Sequence, residues 1–203
     1  MEIENNIIGC TVYKHFSAQQ QDNYQDVFTK FLQEQNFDRI LEIGTAGGGF
    51  TLYLRDTLPN AEILSYDIYD VKWYDDIRKH NVDIRVQNIF DDHIMNITTS
   101  ANVTDEYALN FIRNSKKLLI LCDGGNKIAE FKCLSKYLKQ GDFIMAHDYS
   151  LSVDYFKEHI KGKIWNWCEI TEEHISDSCK LHNLEDYNRE EFQRIVWVCK
   201  QKK

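Results

Sequence analysis

At 203 residues, with 43% hydrophobic and 28% charged side chains, the chain is long enough for one ordinary globular domain with a normal core. A formal net charge of −8 without a stripe of Lys or Arg argues against a nucleic-acid partner, because most sequence-independent affinity for phosphate backbones comes from cationic contacts. No apolar run approaches the roughly 20 residues that cross a bilayer, Met1 to Asn5 lack a signal-peptide pattern, and the six cysteines show no CxxC spacing, so a cytoplasmic protein without a membrane partner is expected.

From residue 17 to 36 the apolar positions Tyr24, Val27, Phe28, Phe31 and Leu32 recur at helical spacing, and residues 1–37 are expected to form a helical lid. Residues 39–43 read as a strand, followed by a glycine-rich loop and a helix over 50–58 that stops before Pro59. Strands over 62–68, 82–87, 118–122 and 143–146 then alternate with helices over 71–79, 106–114, 127–138 and 153–160. Two β-rich runs, 163–170 and 194–199, read as a closing hairpin around a polar, acidic insertion at 172–191, with Lys200, Lys202 and Lys203 as a solvated tail. Parallel neighbours need crossover connections, so the pattern predicts an α/β fold. It is expected to be a doubly wound seven-stranded sheet, mostly parallel with a C-terminal antiparallel hairpin, in one domain over 1–203.

Ligands of such sheets bind outside the carboxyl ends of the strands, where the strand order reverses. The first strand ends Glu42-Ile43-Gly44-Thr45-Ala46-Gly47-Gly48-Gly49-Phe50-Thr51. Glycines let backbone turn tightly and approach a ligand, and the following helix N-terminus offers free N–H groups. The dinucleotide pattern G-x-G-x-x-G and the phosphate loop G-x-x-x-x-G-K-[ST] both fail here. What remains is Glu42-x-Gly44-x-x-x-Gly48, with Asp67 ending the next strand as an acceptor suited to a ribose diol.

This pattern resembles the class I S-adenosylmethionine (SAM) methyltransferases. The resemblance implies SAM as cofactor, lying against Glu42, Gly44, Thr45, Ala46, Gly48 and Thr51 of the turn. It also implies contacts from Asp67 and Ile68 after strand two, Asn88 and Ile89 after strand three, and Asp123 after strand four. The span 122–149 is similar to a small-molecule O-methyltransferase subgroup that includes macrocin, rhamnosyl and catechol O-methyltransferases and the cephalosporin hydroxylase group. Relatives carry D-G-x-H after strand four, whereas here Asp123-Gly124-Gly125-Asn126 puts Asn126 in the histidine's place.

Strands four and five end in Asp123 and in His147-Asp148, which should converge beside the cofactor. By the resemblance, Asp123 and Asp148 hold a divalent ion, Mg²⁺ or Mn²⁺, with His147 as a third ligand. Alternatively His147 is the general base that takes the acceptor's proton without metal, or Asp148 caps the following helix. Trp73, Tyr74, Trp165 and Trp167 either line an acceptor pocket or pack the core. The expected activity is methylation of a hydroxyl on a sugar or other small metabolite. A cofactor-binding protein without catalysis and a SAM-using enzyme of another reaction type are the alternatives, and exposed strand edges make a homodimer an expectation.

Overall fold

Buried side chains alternate along the central strands with a period of two, as a sheet covered on both faces requires. Leu41 and Ile43, Leu118, Ile120 and Cys122, and Ile144 and Ala146 enter one core layer. Ile40, Leu119 and Leu121, and Phe143 and Met145 enter the other. The computed structural model describes residues 11–91 and 101–203; the readings of Met1 to Asn5, of Cys10 and of the connection over 92–100 lie outside them.

The described residues begin with a small hairpin, β1 (Val12–Tyr13) and β2 (Phe16–Ser17), and helix α1 (Tyr24–Gln35). Then follow β3 (Arg39–Ile43), α2 (Gly49–Thr57), β4 (Glu62–Asp67), α3 (Tyr74–Arg78), β5 (Asp83–Val86), α4 (Glu106–Arg113), β6 (Leu118–Cys122), α5 (Lys127–Ser135) and β7 (Phe143–Ala146). The remainder holds β8 (Tyr149–Ser150), α6 (Val153–Tyr155) with a π-helical turn over Phe156–Ile160, β9 (Ile170–Thr171), α7 (Glu172–Leu181), β10 (Leu184–Asp186), α8 (Arg189–Gln193) and β11 (Val198–Lys202). Seven strands form the main sheet in the order β10-β11-β7-β6-β3-β4-β5. β3 to β7 are parallel, while β11 runs antiparallel to β7 and β10 antiparallel to β11. The expected doubly wound, mostly parallel sheet with an antiparallel end is therefore present.

Four local readings are corrected. Helix α1 begins at Tyr24 rather than near Ser17, because Phe16 and Ser17 pair with Val12 and Tyr13. Its buried face, Tyr24, Phe28, Phe31 and Leu32, meets Phe50, Phe143, Phe192 and Trp197 in a cluster of mostly edge-to-face rings. The partner of the last strand is Leu184–Asp186 and not residues 163–170, of which only Ile170 lies in a strand, where Ile170–Thr171 pairs with Tyr149–Ser150. The acidic stretch that reads as an insertion contains α7, whose Ile175, Ser178 and Cys179 are buried at i, i+3 and i+4. Lys200 is not a tail residue. It is 2% exposed inside β11 and pairs with Glu172 at 2.9 Å and Asp186 at 2.8 Å, tying α7 to the sheet edge.

The order of the sheet reverses between β3 and β6: from β3 the chain winds outward through β4 and β5, then returns to β6 on the other side. Gly44 makes that junction tight, with φ +96 and a position where a Cβ would stand 2.2 Å from the Asp123 carbonyl oxygen. Gly47 seats the leading segment, since a Cβ there would stand 2.3 Å from the Ser17 carbonyl oxygen. Gly44→Ala is expected to cost about 2–4 kcal/mol, combining left-handed strain with overpacking, whereas Gly125→Ala, at an exposed position with open space around it, should stay within about 0.5 kcal/mol. Urea unfolding of the two variants checks this, and equal losses at both sites would contradict it.

Candidate functional site

At the carboxyl ends of β3, β6 and β7 lies a cleft of about 400 Å³. Gly44, Thr45 and Ala46 form one wall; Ser17, Ala18 and Gln19 form another; Trp165, Trp167 and Glu169 close the far side over Asp123, Lys127, His147 and Asp148. The predicted residues Gly44, Thr45, Ala46, Asp123, His147 and Asp148 thus meet in one place.

Glu42 and Thr51 lie beneath the turn and do not reach the cleft. Glu42 is buried, and its Oε2 accepts from Thr51 Oγ1 at 2.6 Å and from Ser65 Oγ, which is itself linked to Thr45 Oγ1. Burial pushes the Glu42 carboxyl up to about 7, even though those hydroxyls favour its ionised form. Gly48 is the N-cap of α2. Asp67 stands at the end of β4, where its Oδ2 accepts from the Ala46 N–H at 2.8 Å and the Tyr74 hydroxyl at 3.1 Å, and its Oδ1 from the Tyr69 N–H at 2.9 Å. Three donors leave part of the four-site capacity of a carboxylate open. Ile68 is exposed beside it; Asn88 is exposed after β5 with its Oδ1 on the Phe90 N–H, and Ile89 is buried in the core layer away from the cleft.

The two acids and the histidine are closely knit. His147 Nδ1 lies 3.0 Å from Asp123 Oδ1 and 3.9 Å from Asp148 Oδ1, and its ring stacks on Trp197 with centroids 4.8 Å apart. His147 Nε2 is buried without a hydrogen-bond partner among the described residues. Asp123 Oδ2 accepts from Gln20 Nε2 at 3.1 Å, and Gln20 Oε1 in turn accepts from Trp197 Nε1 at 2.8 Å, so the leading segment holds the carboxylate in place. Asp148 does not cap the next helix; Ser152 does that, and Asp148 instead binds Trp165 Nε1 and Lys127 Nζ. Its φ of +55 is a left-handed conformation rare outside glycine and tolerated by Asp. Burial alone would raise the Asp148 carboxyl, but His147 and Lys127 outweigh it and hold the carboxyl below the usual range.

Asp123, His147 and Asp148 each present a ligand atom, all within 4.8 Å of one another, so this group could hold a metal ion. Two carboxylates alone suit Mg²⁺ or Mn²⁺, and an imidazole as third ligand tilts the set toward Mn²⁺, Fe²⁺ or Zn²⁺.

Sequence reasoning missed Lys127, Gln20 and Glu169. Lys127 left one signal: a cation on the first turn of a helix opposes the helix dipole, so something other than the helix retains it there. Asn126, in the place of the relatives' histidine, accepts from the Ala129 N–H at 3.1 Å and caps α5. The buried Glu130 accepts from the N–H groups of Gly124 and Asn126 and shapes the same turn, and burial pushes its carboxyl up to about 7. Of the four aromatic candidates, Trp165 and Trp167 line the cleft, Tyr74 is buried against Ala46 and Asp67, and Trp73 is exposed away from it.

A family model for FtsJ-like methyltransferases matches residues 13–163, about three quarters of the chain. The chain belongs to the FtsJ-like methyltransferase family. Solved structures resemble this methyltransferase in fold. The apo form of CmcI aligns at a TM-score of 0.64 and 12% identity over 96% of this chain and 77% of that one. A Mg–SAM form of CmcI gives 0.61 and 13% over 96% and 78%. The MycE methyltransferase from the mycinamycin biosynthetic pathway, in complex with Mg and S-adenosylhomocysteine, gives 0.51 and 14% over 89% and 48%. No curated protein matches the sequence. Among the described residues no helix is long and apolar enough to cross a membrane, and the five cysteines they include are free thiols.

Glu42 and Glu130 supply a test of this methyltransferase's buried charge. Each holds a proton in the folded chain that the unfolded chain releases near 4.5. The stability they contribute is therefore complete below that pH and is lost as pH rises toward about 7. Glu42→Gln keeps an acceptor for Thr51 and Ser65 and cannot ionise. Its melting temperature should gain on the wild type between about pH 5 and about pH 8; a gap that stays constant across that range would show that Glu42 does not titrate there.

Proposed function

We propose that this SAM-dependent methyltransferase methylates a hydroxyl oxygen of a sugar or other small metabolite. The observation that carries the reading is the Asp123–His147 pair, 3.0 Å apart at the floor of a cleft that also contains the glycine turn. The net charge of −8 supports a small acceptor over nucleic acid, and Trp165 and Trp167, with centroids 5.3 Å apart, offer such an acceptor an aromatic wall. The comparisons lend support from outside: MycE has been solved with Mg, S-adenosylhomocysteine and mycinamycin VI together. A cytoplasmic location and a homodimer belong to the same proposal.

SAM, when bound, supplies a methyl group already activated by its sulfonium. Gly44, Thr45 and Ala46 give the cofactor a side-chain-poor bed, and the open acceptor capacity of Asp67 takes the ribose hydroxyls. Asp123 is the most accessible of the three acidic-centre residues, its side chain 17% exposed against 3% for His147 and 10% for Asp148. It therefore meets the acceptor hydroxyl. With SAM bound, the acceptor oxygen would displace the sulfonium sulfur from the methyl carbon, and the Asp123–His147 pair would take the hydroxyl proton. Gln20 and Trp197 keep Asp123 oriented, and the cleft holds nucleophile and methyl in line, which provides much of the acceleration. A divalent ion, where bound, would be held by Asp123, His147 and Asp148 and would act as a Lewis acid on the acceptor oxygen.

Calorimetric titration with SAM and transfer of labelled methyl into a panel of sugar and phenolic acceptors test this. Asp67→Ala should weaken SAM binding by about tenfold or more, as loss of a charge-assisted pair would. Asp123→Asn and His147→Gln should bind SAM like the wild type and lower kcat by about 10²–10⁴. Retained transfer in both of the latter variants would remove the pair from the chemistry.

A further inference from the structure

Lys127 is the first residue of α5, its side chain 6% exposed, and it has no part in the transfer step above. Its ammonium lies 2.9 Å from Asp148 Oδ2, 2.9 Å from Glu169 Oε2, 3.1 Å from the Gly124 carbonyl oxygen and 3.7 Å from Asp123 Oδ1. An ammonium has three protons and no acceptor, so the three nearest oxygens satisfy it completely. They come from the β6–α5 turn, the end of β7 and the segment before β9, which makes the group a cage around one cation.

We propose that Lys127 is the resident cation of the acidic centre, standing where it neutralises the carboxylates that a divalent ion would otherwise bridge, so that metal enters only when this ammonium leaves. Asp123 and Asp148 are two of the three residues that, among the described residues, form a cluster with metal-ligand geometry, and both lie within 3.7 Å of Nζ. A hard divalent ion such as Mg²⁺ binds carboxylate oxygens at about 2.0–2.1 Å. An ion on these two acids would therefore stand against a like charge inside a buried site, where repulsion is poorly screened. His147 Nδ1, the ring nitrogen beside the acids, is already engaged by Asp123. Loss of Lys127 leaves the acids unneutralised and the space between them open, which is the condition under which such a group captures metal.

The inference rests on reading Asp123 and Asp148 as the centre of the site, but its test needs neither SAM nor acceptor, so its failure leaves the methyl-transfer reading standing. Mn²⁺ is titrated into the purified full chain, with free ion followed by electron paramagnetic resonance, for the wild type, Lys127→Gln and Lys127→Arg. Lys127→Gln should bind one Mn²⁺ about tenfold or more tighter than the wild type, and Lys127→Arg, which keeps the charge, should bind no better than the wild type. Equal or weaker binding by Lys127→Gln would overturn the proposal. The wild type alone gives a second reading that needs no variant to fold: its melting temperature should be the same in EDTA and in millimolar Mn²⁺. A clear rise with Mn²⁺, abolished by Asp148→Asn, would mean that the ion binds with Lys127 in place and would overturn it equally.

Discussion

A Cβ on residue 44 would stand 2.2 Å from the carbonyl oxygen of Asp123, and the site rests on that spacing. β3 and β6 are adjacent parallel strands at the point where the sheet reverses its order, and their ends can lie side by side only if one of them is bare of side chain. Gly44 provides this, and the Asp123 N–H donates to the Ile43 carbonyl at 2.9 Å to close the junction. The glycine turn and the acidic centre thereby share one wall. For the proposed transfer, a displacement of either strand end would separate the glycine turn from Asp123 and His147.

Charge in the cleft is arranged in layers. Beneath the turn, Glu42 is surrounded by hydroxyl donors and driven toward its neutral form by burial. At the floor, His147 and Lys127 hold the Asp148 carboxyl below its usual range, and both lie beside Asp123. Toward solvent, Glu169 is exposed and shares the same lysine. Burial costs an unpaired charge heavily, and the cluster answers that cost with three acidic groups around one ammonium. Trp165 and Trp197 shield the group on both sides of His147 and donate their ring N–H groups to Asp148 and to Gln20, which makes them part of the polar network and not only of the core.

The fold was legible because its signals are local and periodic. The run Arg39–Ile43, the glycine turn and the strand over Leu118–Cys122 read correctly since alternation and glycine placement depend only on neighbours along the chain. The C-terminal end was misread for the opposite reason. Residues 163–170 have the composition of a strand, but their tryptophans wall the cleft, while the short, polar Leu184–Asp186 takes the edge position because Lys200 reaches Glu172 and Asp186 across it. Helix α7 was hidden in an acidic stretch, since only a few of its residues are buried.

The sequence by itself determined the α/β class through its alternating periodicities, and the glycine turn and Asp67 as the motif that carries the family resemblance; the convergence of Asp123, His147 and Asp148 followed from strand ends facing one crevice. Tertiary structure alone decided that Gln20, 103 residues from Asp123 along the chain, would hold that carboxylate. It likewise decided that Lys127 would turn back from a helix N-terminus into the acids, and that Glu169 would join them from 42 residues away. These contacts join segments far apart in sequence, and their energies arise only when folding removes water from between the charges. Neither spacing nor composition carries that information.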